Sequence, residues 1–179
     1  MQKQTIQFVR SLVLFPFLGT ASPFAMLQTF NVPVIPIIGQ QSDAPTVITL
    51  NEEHAAKIDA YMNKRGMPLT GYGAKMVAES EKNGIDWRLL PSIAIKESTG
   101  GKFACGHNPF GWGSCKIEFE TWSDAIETVA RNLGGNNPNT ARYYKDKTTV
   151  EKLHHYNNSV VPTYTGEILE FMKLIEEGK

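Results

Sequence analysis

The sequence has no excess of charge of either sign, which is its first informative absence. Its 179 residues contain 18 Lys and Arg against 18 Asp and Glu, so the formal net charge at pH 7 is zero. A nucleic-acid-binding protein needs a clustered basic excess, and none is present. The chain also lacks an internal repeat, a phosphate-binding glycine loop and a Ser-His-Asp signature. These absences argue against nucleic-acid and nucleotide binding, and the sequence gives no basis for a metal or an organic cofactor.

Charged residues are also missing from most of the N-terminal region. After Lys3 and Arg10, none occurs between Ser11 and Ser42, and the segment SLVLFPFLGTA resembles the apolar core of a secretory signal. Several prolines argue against one long membrane helix, but the length of the apolar run leaves an uncleaved membrane anchor open. We therefore expect a protein that is secreted or held at the cell envelope. The predicted segments are a signal peptide or signal anchor at 1–30, a linker at 31–50 and one domain at 51–179.

Cysteine is scarce, and the two that occur lie close together. Cys105 and Cys115 enclose the segment CGHNPFGWGSC. In an exported protein such a pair predicts a disulfide around a small loop, which stabilises the fold by about 2–3 kcal/mol. A metal site built from Cys105, His107 and Cys115, with His154 or His155 added, is the alternative. The chain lacks the CxxC pairing that is common in zinc sites.

Apolar residues recur at helical spacing through most of the remaining chain. The pattern and its capping residues predict helices from about Asn51 to before Gly66, over 72–83, over 88–98 with Asp86 as cap, from Thr121 or Ser123 to Gly134, over 148–156 and after Pro162. Glycines and a proline interrupt this period between residues 100 and 121, KIEFE at 116–120 alternates like a brief strand, and 134–144 is expected to be a loop. The predicted fold is mainly α, with a short β-hairpin or loop lobe.

One glutamate interrupts the apolar face of the predicted helix at 88–98. Glu97 follows Ile93 and Ala94 at helical spacing, just before Gly100 and Gly101 end the helix. Partial burial and the negative end of the helix dipole both disfavour an ionised carboxylate. Glu97 is therefore a candidate general acid, although a glutamate near a helix end is also commonly a solvated surface residue.

The motifs around Glu97 together resemble a known enzyme family. PSIAIKESTGGKFACGHNPFGWGS, then FETWSDAIETVARNL and a late YNN…Y, resemble the lysozyme-like superfamily of glycoside hydrolases. The likeness is strongest to the bacterial endo-β-N-acetylglucosaminidase (mannosyl-glycoprotein endo-β-N-acetylglucosaminidase-like) domain of autolysins and flagellar cell-wall hydrolases, over residues 70–176. It implies a lysozyme-like α+β fold with the hairpin or loop lobe beside the catalytic helix. The expected partner is peptidoglycan or a related N-acetylglucosamine glycan, bound by a monomer.

The resemblance also implies roles for individual residues. In that family the glutamate of a Glu-Ser pair, here Glu97 followed by Ser98, is the acid that protonates the glycosidic oxygen. Tyr156 corresponds to the tyrosine that faces this acid across the cleft. A core tyrosine with a satisfied hydroxyl is an equally good interpretation of Tyr156. Of the two tryptophans near the motifs, we favour a cleft role for Trp112 and a core role for Trp122. The expected sugar-binding residues are Ser98, Asn108, Phe110, Gly111, Trp112 and Asn157.

The sequence shows no clear second carboxylate for the expected reaction. Glycosidases commonly use two carboxylates, about 5 Å apart for retention or about 6.5–9.5 Å apart for inversion. Glu118 and Glu120, on one face of the predicted strand, are the candidates for the second carboxylate, although such carboxylates are usually solvated. If neither glutamate reaches the cleft, two routes remain: the N-acetyl group of the substrate acts as the nucleophile, or the product is an anhydro sugar.

The sequence thus predicts an exported peptidoglycan hydrolase that cuts the β-1,4 bond next to N-acetylglucosamine. A lytic transglycosylase of the same fold and a non-catalytic cell-wall-binding or assembly module are the alternatives.

Overall fold

The computed structural model describes residues 48–158 and 160–179, and this part of the chain is mainly helical. The helices are α1 (Leu50–Lys64), α2 (Gly73–Lys82), α3 (Leu89–Ser98), α4 (Trp122–Leu133), α5 (Ala141–Tyr144), α6 (Thr149–Leu153) and α7 (Tyr164–Glu176), with a π-helical turn at His154–Asn158 after α6. The predicted signal or anchor at 1–30 and the linker up to residue 47 lie outside the described residues. Within those residues, no helix has the length and apolar character needed to span a bilayer.

Helix boundaries follow the capping residues. Thr49 caps α1, because its side chain accepts the Glu52 backbone N–H while the Glu52 carboxylate accepts that of Thr49. The helix therefore includes Leu50, which the sequence had placed in the linker. Thr121 and Asp124 form the same reciprocal pair at the start of α4, and Gly134 ends that helix as predicted.

The start of α3 differs from the prediction. Arg88 occupies its N-cap position, and no side chain caps the helix there. Asp86 instead accepts hydrogen bonds from both the backbone N–H and the guanidinium of Arg88, each at 2.9 Å. The helix ends at Ser98, and its C-cap residue Thr99 has a left-handed backbone (φ 54°) that is followed by Gly100 and Gly101 at positive φ.

The predicted strand at 116–120 is wrong, since the chain there forms a turn and irregular structure. A strand needs a neighbouring backbone to pair with, and the carbonyl of Ile117 is instead occupied by the side-chain amide of Asn108 at 3.2 Å. In the described part of the chain, the only isolated β-bridge joins Cys105 and Asn108. The lobe beside α3 is thus a loop rather than a hairpin. The predicted loop at 134–144 also contains the short helix α5.

Helix α3 forms the centre of the core. It packs against α7, α2 and α4, and Leu89, Leu90, Ile93 and Ala94 have no solvent exposure. A helix that is apolar on all sides is stable only when other elements surround it. The consequence for function is that the C-terminal turn of α3 holds Glu97 on a buried, well-packed support.

Candidate active site

Glu97 opens onto a cavity of about 330 Å³ beside the loop that follows α3. Its side chain is half-buried in the last turn of the helix. The cavity is lined by Glu97, Gly111, Trp112, Gly113, Ser114, Tyr156 and Asn157. The fold thus brings together five of the residues that the sequence singled out, from α3, from the disulfide loop and from the π-helical turn.

The two carboxyl oxygens of Glu97 have different surroundings. Oε1 accepts a hydrogen bond of 2.7 Å from the hydroxyl of Tyr164, the first residue of α7, which is fully buried. Oε2 faces Gly111, where a Cβ atom would lie only 3.1 Å away. Gly111 also has a φ of 61°, which glycine adopts without strain. The glycine lets the loop backbone approach the acid, while Tyr164 holds one oxygen and leaves the other toward the cavity.

Burial raises the pKa of Glu97 above its ordinary value. The Tyr164 hydrogen bond and the positive charge of Lys96 both favour the ionised form and partly oppose this rise. Lys96 is itself paired with Glu167 on α7. The net result is a carboxyl that keeps its proton to higher pH than a solvated glutamate, as a general acid requires.

The aromatic rings of Trp112 and Tyr156 line the cavity, and the ring of Tyr164 packs behind them. The rings of Tyr156 and Tyr164 are stacked, with centroids 6.0 Å apart and planes 8° apart. Trp112 lies against Tyr156 with centroids 5.6 Å apart. The Tyr156 hydroxyl donates to the backbone carbonyl of Phe110 at 2.6 Å, so it fastens the loop rather than contacting Glu97.

Three residues predicted to bind sugar are buried and support the cavity wall. Ser98 donates from Oγ to the Pro109 carbonyl at 2.7 Å. Asn108 bonds the backbone of Trp112 twice, through its amide nitrogen at 2.9 Å and through its carbonyl oxygen at 3.0 Å. Phe110 has no solvent exposure. These side chains do not line the cavity, and they hold the loop against α3.

The loop is closed by the predicted disulfide between Cys105 and Cys115. The alternative metal site thereby loses both thiolate ligands. In the residues that the structure describes, no group of three or more potential ligands is placed to hold a metal ion.

The candidate second carboxylates lie outside the cavity. Glu118 and Glu120 are exposed, and neither lines the space at Glu97. Their predicted placement depended on strand alternation, which the irregular backbone does not provide. Among the described residues, Glu97 is the only acidic side chain that lines the cavity.

Sequence reasoning missed Tyr164 as a site residue. Tyr164 is fully buried at the start of α7, and its hydroxyl reaches the acid. The YNN…Y pattern contained a signal, since its second tyrosine is Tyr164.

Comparison of the chain with protein-family models, with curated proteins and with solved structures yields no match.

Proposed function

We propose that this protein cleaves the glycan backbone of peptidoglycan with Glu97 as the general acid, on a fold of the lysozyme-like type. The observation that carries the proposal is a carboxyl of raised pKa, with one oxygen held by Tyr164 and the other directed toward an open cavity. The sequence resemblance around Glu97 supplies the substrate class. Export directed by the predicted segment at 1–30 would deliver the enzyme to the cell wall.

In the first step, protonated Glu97 donates its proton from Oε2 to the glycosidic oxygen. The bond from that oxygen to the anomeric carbon breaks, and the leaving sugar departs with a new hydroxyl group. Glu97 becomes a carboxylate as this happens. The Tyr164 hydroxyl is already placed 2.7 Å from Oε1 to stabilise the developing charge. Trp112, Tyr156 and Asn157 line the space where the sugar binds.

In the second step, a nucleophile must form a bond with the anomeric carbon. With no second acidic side chain lining the described cavity, the substrate's own N-acetyl oxygen is the group that the site leaves available. That oxygen bonds to the anomeric carbon and closes a ring on the substrate. Water then attacks the same carbon, the bond to the N-acetyl oxygen breaks, and the Glu97 carboxylate accepts the proton of the water.

The lack of a second acidic side chain in the lining of the described cavity also favours lytic transglycosylation as the second candidate. In that reaction a hydroxyl of the same sugar attacks the anomeric carbon, its proton passes to Glu97, and an anhydro sugar forms.

Mass spectrometry of the products released from purified peptidoglycan tests the proposal and separates the two reactions. Hydrolysis yields glycan fragments with an ordinary reducing end, whereas transglycosylation yields fragments lighter by one water. Binding to the wall with no soluble fragment at any pH would contradict both reactions and indicate a wall-binding module.

A further inference from the structure

Three depressions follow one another along the disulfide loop. The first is the Glu97 cavity, whose lining reaches Ser114. The second, of about 380 Å³, begins at the next residue, Cys115, and also includes His107 and Glu118. The third, of about 390 Å³, shares His107 with the second and leads to Trp122. The second and third depressions therefore share a lining residue, and the linings of the first and second end at the neighbouring residues Ser114 and Cys115.

The third depression has aromatic walls. Tyr72 and Trp122 are half-buried, and their ring centroids lie 5.7 Å apart. Trp122 packs against the hydrophobic core, in line with the core role that the sequence favoured, but part of its side chain remains exposed. Among the described residues, neither the Tyr72 hydroxyl nor the Trp122 indole N–H has a hydrogen-bond partner. Partly exposed aromatic rings that carry polar groups suit a sugar, which has apolar C–H faces and hydroxyl edges.

The aromatic pair lies within reach of an oligosaccharide bound at Glu97. The Trp122 ring packs on Gly101, where a Cβ atom would lie 2.8 Å from the ring atom Cη2. Gly101 follows Glu97 by four residues, and four residues span at most about 14 Å even when fully extended. A linear oligosaccharide is long enough to bridge a separation of this size.

We propose that Tyr72 and Trp122 form a distal subsite that stacks a sugar ring of the glycan chain being cleaved at Glu97. This inference rests on the proposed function and extends it, because it assigns the enzyme a preference for long glycan chains. The disulfide loop provides the surface between the two sites. His107 lines both the second and the third depression, so it lies where the bound glycan passes from one to the other.

The three tryptophans of the chain provide site-specific reporters. Trp112 lines the Glu97 cavity, Trp122 lines the distal subsite, and Trp87 stacks on His54 and lines none of the three depressions. The experiment titrates the N-acetylglucosamine hexamer, in β-1,4 linkage, into the full-length Glu97→Gln protein labelled with ¹⁵N. We expect the indole N–H signals of Trp112 and Trp122 to shift with the same midpoint, and that of Trp87 to stay in place.

A shift of Trp112 alone would overturn the distal subsite while leaving the proposed function intact. Absence of any shift at Trp112 would count against the proposed ligand of the Glu97 cavity and against the subsite together.

A variant gives a second readout. In the same background, Tyr72→Ala should weaken hexamer binding about three- to tenfold, the range expected for one aromatic contact. The affinity for the β-1,4-linked N-acetylglucosamine dimer, measured from the Trp112 signal, should not change. An unchanged hexamer affinity, or equal weakening of dimer and hexamer, would overturn the proposal. If Tyr72→Ala does not fold, the tryptophan signals of the Glu97→Gln protein decide.

Discussion

Replacing Tyr164 with Phe removes the hydroxyl that donates to Glu97 Oε1 at 2.7 Å while keeping the buried ring. Such a hydrogen bond contributes about 1.5–3 kcal/mol when its acceptor is charged and about 0.5–1.5 kcal/mol when it is neutral. The difference, about 1–1.5 kcal/mol, is stabilisation gained only as Glu97 loses its proton in the transition state. We therefore expect kcat/KM to fall about 5- to 10-fold.

The same change should also alter the pH dependence. The Tyr164 hydrogen bond lowers the pKa of Glu97, so its loss raises that pKa further. A general acid works in its protonated form, and activity disappears as pH rises through the pKa. The alkaline limb of the kcat/KM profile should therefore move to higher pH in Tyr164→Phe, measured as release of soluble glycan from purified wall.

Tyr156→Phe is the matched control. It also removes a tyrosine hydroxyl from the site, but that hydroxyl bonds the Phe110 carbonyl rather than Glu97. The alkaline limb of the Tyr156→Phe profile should stay at the same pH as in wild type, even if loss of this hydrogen bond loosens the loop and lowers the rate. A Tyr164→Phe enzyme with full activity and an unmoved alkaline limb would refute the role assigned to Tyr164.

Three further changes test the surroundings of the acid. Replacing Cys105 and Cys115 together with Ser should lower the free energy of unfolding by about 2–3 kcal/mol in urea titrations, and an unchanged value would mean that the bridge does not stabilise the fold. Gly111→Ala should cost about 1–2 kcal/mol in the same assay because of its φ of 61°. It should also reduce kcat/KM by crowding Oε2, and normal kinetics would contradict that contact. Because folding raises the pKa of Glu97, wild-type stability should decline relative to Glu97→Gln as pH rises through that pKa, measured by thermal unfolding; a constant difference would contradict the shift.

Local patterns predicted most of the helices. Apolar spacing located α3, and the Thr121 and Gly134 caps located α4, because both signals act within a few residues. The position of Glu97 at the end of a buried helix follows from the same local pattern.

The errors arose where distant contacts decide the structure. Residues 116–120 alternate as a strand would, but the side chain of Asn108 takes the Ile117 carbonyl and no strand forms. The contact between Tyr164 and Glu97 joins residues 67 apart in sequence and depends on how α7 packs on α3. Tyr164 belongs to the YNN…Y motif, but no spacing rule in the sequence predicts where its hydroxyl points.

The central claim is that Glu97 supplies the proton that breaks the glycosidic bond. Its most direct test is the release of soluble glycan from purified peptidoglycan by wild-type, Glu97→Gln and Glu120→Gln proteins, each shown by circular dichroism to be folded. The expected loss for Glu97→Gln is at least about 100-fold. Glu120→Gln, which changes an exposed carboxylate outside the cavity, should retain most of the activity. Comparable activity of Glu97→Gln and wild type would contradict the claim.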